Sequence, residues 1–191
     1  MSLTLLITIA PIFCAYILYK NPAYWPKKTS NYGTIIKSRS SIYEYKNLDF
    51  KTLNGDLFNF EIFKGKWLIL SIDSASCKEL CAEKLFISRN CHASQGKNVS
   101  RLIRVWLIVD DGTVPEDIIY SFKGTIMLRA QIEQLQKLIL WNSELKDISL
   151  LTESIWIIDP LGNLTLRSPK NPDGTKLCKD IRTLIYNSHI G

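Results

Sequence analysis

The stretch "LILSIDSASCKELC" carries an apolar run straight into two cysteines spaced four apart, Cys77 and Cys81. A cysteine in the first turn of a helix meets unpaired backbone N–H groups and the positive end of the helix dipole, and both favour its thiolate. One helical turn puts Cys81 on the same face as Cys77, with Cα atoms roughly 6 Å apart, inside the range of about 4.4–6.8 Å that a disulfide spans. Such a pair can oxidise reversibly, hold a thiophilic ion such as Cu(I) between two thiolates, or simply fill core space as two small apolar residues. Asp73 and Ser74 before the pair, and Lys78 and Glu79 within it, make a polar neighbourhood that argues for access.

The remaining candidates offer less chemistry. Cys91 lies fourteen residues beyond Cys77, about 21 Å along a continuous helix, and cannot join the pair. Cys178 stands among Leu177, Ile181 and Leu184 and is expected in the core, while Cys14 falls in an apolar N-terminal run. His92 abuts Cys91, where adjacent helical residues diverge, and His189 sits in the tail, so zinc-ligand spacing is missing. No phosphate-binding loop, dinucleotide turn or hydrolase triad is present.

The elements that must position the cysteines are legible in outline. Asn54-Gly55 between apolar residues predicts a hairpin, because both turn residues accept positive φ. "WLILSID" and "RLIRVWLIVDD" read as buried strands, and the segment from Cys77 to about Ser94 as a helix with Leu80, Lys84, Leu85, Phe86, Ile87 and Cys91 on an apolar stripe. "VPEDIIYSF" starts a short helix at Pro115, "GTIMLRA" is a third strand, and "QIEQLQKLILW" a further helix. "ESIWIID" and "LTLRSP" flank the turn "PLGN", and "DGTKLCKDIRTLIYNS" closes the chain as a helix. This alternation implies an α/β fold, a central mixed sheet with parallel βαβ parts and helices on both faces. Cys77 and Cys81 then sit at the carboxyl end of a central strand, where open α/β sheets place their sites.

The first residues have a different character. Leu3 to Tyr19 is uncharged, and seventeen residues at 1.5 Å each nearly cross a hydrocarbon core of about 30 Å. Residues 1–20 therefore read as one transmembrane anchor; a cleaved leader fits less well, with no basic residue ahead of the run and no small-residue cleavage site after it. Tyr16, Tyr19, Tyr24 and Trp25 cluster where the helix would leave the bilayer. Six basic residues against Glu44 between Lys20 and Lys46 hold +5 of the chain's net charge of +6. Residues 21–46 form a basic juxtamembrane linker with one docked element around Tyr32 to Ile36, and residues 47–191 the globular domain. That domain is close to neutral, which speaks against nucleic acid as a partner and for a lipid bilayer beside the linker. Counting Lys20, Lys27 and Lys28 after the span, the positive-inside rule puts the domain in the cytoplasm.

With these features the chain resembles the Sco (SenC) family of membrane-anchored, thioredoxin-like proteins that help assemble the copper site of cytochrome c oxidase. The resemblance rests on the N-terminal span, the Asn54-Gly55 hairpin, "GKWLILSIDSASCKELC", "VWLIVDD" with Pro115-Glu116, "SNYGTIIK" and "IWIIDPLGNL". It implies a thioredoxin-like fold, Cys77 and Cys81 as both catalytic thiols and Cu(I) ligands, the oxidase copper subunit as partner, and a periplasmic domain on the inner membrane. This topology opposes the charge rule. The chain also departs from the family: "LLTES" before "IWIID" lacks the third, histidine ligand, and Lys78 and Ala82 replace the prolines that usually follow the cysteines. Three functions stay open, namely oxidase assembly by Cu(I) delivery or thiol reduction, a broader thiol-disulfide oxidoreductase or peroxidase, and a non-catalytic interaction module that has lost the metal site.

Overall fold

The alternating side chains of "WLILSID" and "LIRVWLI" send apolar groups to both faces, as strands buried in the middle of a sheet must. The computed structural model describes residues 2–21, 31–38, 40–45, 48–143, 149–188 and 190, with side chains for all of these except 2–6 and 140–143. Tyr24, Trp25, Lys27, Lys28, Lys46 and His189, named above, lie outside the described residues. The chain forms two compact units, Met1–Ser30 and Asn31–Gly191.

In the first unit, helix α1 runs Ser2–Lys20 with Pro11 inside it. Ile7, Ile12, Phe13 and Tyr16 on it are exposed. Among the described residues, no helix is long and apolar enough to cross a membrane, so the transmembrane anchor expected over residues 1–20 is not confirmed.

The second unit is built on eight strands: β1 (Thr34–Ile35), β2 (Phe50–Thr52), β3 (Leu57–Phe58), β4 (Trp67–Asp73), β5 (Leu102–Ile108), β6 (Ile126–Arg129), β7 (Ile155–Ile158) and β8 (Leu164–Arg167). They make one sheet in the order β1-β8-β7-β4-β5-β6-β2-β3. The pairs β4–β5 and β5–β6 are parallel and the others antiparallel, so the expected mixed sheet is observed. Its helices are α2 (Glu79–Ala93), α3 (Glu116–Ser121), α4 (Ile132–Ser143), α5 (Leu150–Glu153) and α6 (Gly174–Asn187).

Leu68, Leu70, Ile72, Val105 and Leu107 pack on one face with Leu135, Leu138 and Ile139 of α4. Trp67 and Ile69 point to the other face, against Ile87 and Cys91 of α2 and Leu177, Ile181 and Ile185 of α6. Farther along that face, Trp106 and Ile108 meet Cys77, Cys81, Leu85 and Phe122. The Asn54-Gly55 turn connects β2 to β3 with Gly55 at φ 92°, and Gly162 takes φ 88° between β7 and β8.

Part of the segment assigned to the linker belongs to the folded body. Strand β1 pairs with β8, Tyr32 packs beside the α2–α6 core, and the Gly33 amide donates to Asp180 of α6 at 2.8 Å. A Cβ on Gly33 would lie 2.5 Å from Leu166, so the close approach of β1 to β8 depends on glycine there.

Candidate functional site

Strand β4 delivers the chain to Asp73 at its carboxyl end, and the Ser74–Lys78 turn leads into α2. Asp110, just past β5, holds that turn: its Oδ1 accepts from the amides of Ala75 (2.9 Å) and Gly112 (3.2 Å). Arg129 of β6 secures Asp110 in turn, donating to the carbonyls of Asp110 and Gly112. The Cys77 amide donates to Ser74 O, and Cys77 adopts φ 37°, a left-handed conformation that a β-carbon disfavours.

Helix α2 therefore starts at Glu79, with Lys78 as its N-cap, and not at Cys77 as the sequence suggested. The physical reason is the positive φ, which directs the backbone out of a helical path one residue before the cap. Cys81, in the first turn of α2, is the cysteine beside the unpaired N–H groups. Cys77 and Cys81 are joined in a disulfide with Cα atoms 5.0 Å apart. Both are buried, Cys77 at 6% and Cys81 at 1% exposure, packed with Val114, Trp106 and Phe122. The expectation of an accessible pair thus needs correction: Lys78 and Glu79 are exposed, whereas the two cysteines turn into the core. Leu80 and Phe86, placed above on the apolar stripe of α2, are likewise exposed.

Lys84, one turn beyond Cys81, is 3% exposed and its ammonium has three partners. It pairs with Asp73 Oδ2 at 2.7 Å, donates to Ile72 O at 3.1 Å, and donates to Thr152 O. Desolvation holds its pKa below the usual lysine value, against the pull of Asp73. Sequence reasoning placed Lys84 on the buried stripe without giving it a role; a lysine on a core-facing position was the available signal.

Lys84 also ties down the segment that lacks the expected histidine. Leu151 is in the core, Thr152 O receives Lys84, Glu153 pairs with Lys170 at 2.6 Å, and Ser154 is fully buried. Among the described residues, no group of three or more His, Cys, Asp or Glu is placed to hold a metal ion. Reduced, Cys77 and Cys81 would supply two thiolates, a donor set that suits linear Cu(I) and not Cu(II).

A second disulfide was not expected. Cys91 of α2 and Cys178 of α6 are bridged, with Cα atoms 4.7 Å apart. Cys178 is therefore not a free core thiol, and Cys91, which cannot reach Cys77, is engaged by a helix distant in sequence. Cys14 is free and exposed. His92 belongs to α2, where burial and the neighbouring Arg104 lower its pKa.

The family model described as transmembrane-like, thioredoxin-like, C-terminal domain matches residues 67–188. The chain belongs to this thioredoxin-like family. Solved structures of similar fold include yeast Sco1 with copper bound (TM-score 0.57, 14% identity, 84% of this chain and 96% of that one). Arabidopsis thaliana ScoI with copper bound also matches (TM-score 0.54, 18% identity, 82% and 99%). So does the thioredoxin domain of a thiol-disulfide oxidoreductase from Bacteroides vulgatus (TM-score 0.54, 12% identity, 80% and 98%). At these identities the likeness is one of fold. No curated protein matches the sequence.

Proposed function

We propose that this chain is a membrane-tethered thiol protein that exchanges disulfides with a cysteine-bearing partner through Cys77 and Cys81, and that its partner is the copper subunit of cytochrome c oxidase. The observation that carries the reading is the Cys77–Cys81 bridge at the carboxyl end of β4, with Cys81 in the first turn of α2. In the oxidised protein a partner thiolate attacks Cys77, the less buried sulfur, and Cys81 leaves as a thiolate that the helix N-terminus favours. In the reduced protein the Cys77 thiolate attacks a partner disulfide, and Cys81 then attacks Cys77 to release the reduced partner. The burial of both sulfurs restricts this exchange to partners that open the cover around Val114 and Phe122, which suits a dedicated assembly factor better than a general oxidoreductase.

Copper transfer is the second reading, supported by two thiolates and by a fold shared with proteins solved with copper bound. The Lys84 ammonium beside Thr152, where the third donor is missing, weighs against it, since a buried cation disfavours a second one. The experiment is replacement of Cys77 and Cys81 by Ser, singly and together, in cells and with the purified chain. Assembled oxidase is expected to fall while the protein still accumulates; unchanged oxidase in all three variants rejects the assembly role. Titration of the reduced full-length chain with Cu(I) separates the two readings. A 1:1 complex lost in the double variant selects copper transfer, and its absence, with exchange retained, selects thiol reduction.

A further inference from the structure

Helices α2 and α6 enclose a groove of about 630 Å³ on the sheet face away from α4. Its size falls within the 300–1,000 Å³ typical of small-ligand sites. Phe86, Ile87 and Pro172 make it apolar, Glu83 stands on the α2 wall, and Lys179 and Arg182 on the α6 wall. Cys178 lines this groove, whereas its partner Cys91 is fully buried among Leu102, Leu177 and Ile181. Of the four bridged cysteines only Cys178 is not buried, so the most exposed bridged cysteine among the described residues lies outside the Cys77–Cys81 site.

We propose that Cys91–Cys178 is a second exchange site, addressed through the α2–α6 groove by a small peptide-like thiol that carries carboxylates. Two exposed cations on one wall, Lys179 and Arg182, the latter also donating to Ser94 O, attract the carboxylates, and their field favours the thiolate form of the incoming sulfur. Glu83 on the opposite wall suits an ammonium group on the same ligand. The thiolate attacks Cys178 Sγ, forming a mixed disulfide there and breaking the Cys91–Cys178 bond. The bonding pair leaves on Cys91 Sγ, which takes up the proton that the incoming thiol released to solvent. Cys91 lies near the carboxyl end of α2 and in apolar surroundings, and both disfavour a thiolate there. It is consequently a poor leaving group, which slows the forward step, and a poor nucleophile, which slows its reversal. The thiol-capped state forms slowly and persists.

The test uses the full-length chain carrying Cys77→Ser and Cys81→Ser, which makes it independent of the function proposed above. The folded protein is incubated with reduced glutathione, quenched in acid, alkylated after denaturation and mapped by mass spectrometry. One glutathione on Cys178 and one alkyl group on Cys91 are expected. Glutathione is expected to react about five-fold or more faster per thiolate than its diester, which lacks the carboxylates, and Lys179→Glu should remove that advantage. Glutathione on Cys91, or no adduct while circular dichroism shows a folded chain, overturns the exchange site. Equal rates for glutathione and its diester overturn the carboxylate recognition.

Discussion

Lys84 is the residue whose chemistry and position are most at odds, a cation on the core side of α2 one turn past Cys81. Its ammonium joins the end of β4 to the segment before β7 through Asp73, Ile72 O and Thr152 O. Replacing it by Met keeps the length but removes the donor from two carbonyls and a partly buried carboxylate. A loss of about 2 kcal/mol at neutral pH is expected in urea unfolding. Desolvation lowers the Lys84 pKa in the folded protein from 10.5, so approaching that value the native state gives up its proton before the unfolded chain does. The unfolded state then binds more protons, and unfolding free energy rises with pH across the window ending near 10.5. That rise should shrink or vanish in Lys84→Met, and an identical pH profile in both proteins would show that Lys84 does not titrate with folding.

Among the elements, β1 is the smallest with a checkable role, because it covers the edge of β8. Gly33→Ala places a methyl 2.5 Å from Leu166 and 3.0 Å from Arg167 O, and the Gly33 amide must move away from Asp180. Destabilisation of about 1–3 kcal/mol is expected, with faster amide exchange of Ile36, which donates to Thr165 O. Unchanged exchange there would mean that β1 adapts without unpairing. The long strands and both glycine turns were legible in the sequence, since continuous apolar runs and Asn54-Gly55 or Pro160–Asn163 are local signals. The start of α2 was missed by two residues because nothing local announces a positive φ at Cys77. The Cys91–Cys178 bridge was missed for another reason: it joins residues 87 apart, and only the packing of α2 beside α6 brings them together. The pairing of Cys77 with Cys81 was readable from its spacing, but its burial under Phe122 and Val114 arises from α3 and the preceding loop, far along the chain.

On the scale of the whole molecule, two disulfides in one domain favour an oxidising compartment, whereas the lysines after α1 favour a cytoplasmic side. The two arguments differ in kind. The charge rule biases how a span inserts, but a bridge between Cys91 and Cys178, of which only Cys91 is buried, would be open to reduction by cytosolic thiols. Exposed apolar side chains on α1, including Ile12 and Phe13, need a nonpolar environment or a partner. We therefore expect the full-length chain to stay in the membrane pellet after alkaline extraction, and a chain lacking residues 1–20 to move to the soluble fraction. A carboxyl-terminal fusion to alkaline phosphatase, which is active only where its own disulfides form, should be active, while a fusion to green fluorescent protein exported by the same route should be dark. The reverse pattern would place the domain with the charge rule in the cytoplasm, and would confine Cys77 and Cys81 to partners in that compartment.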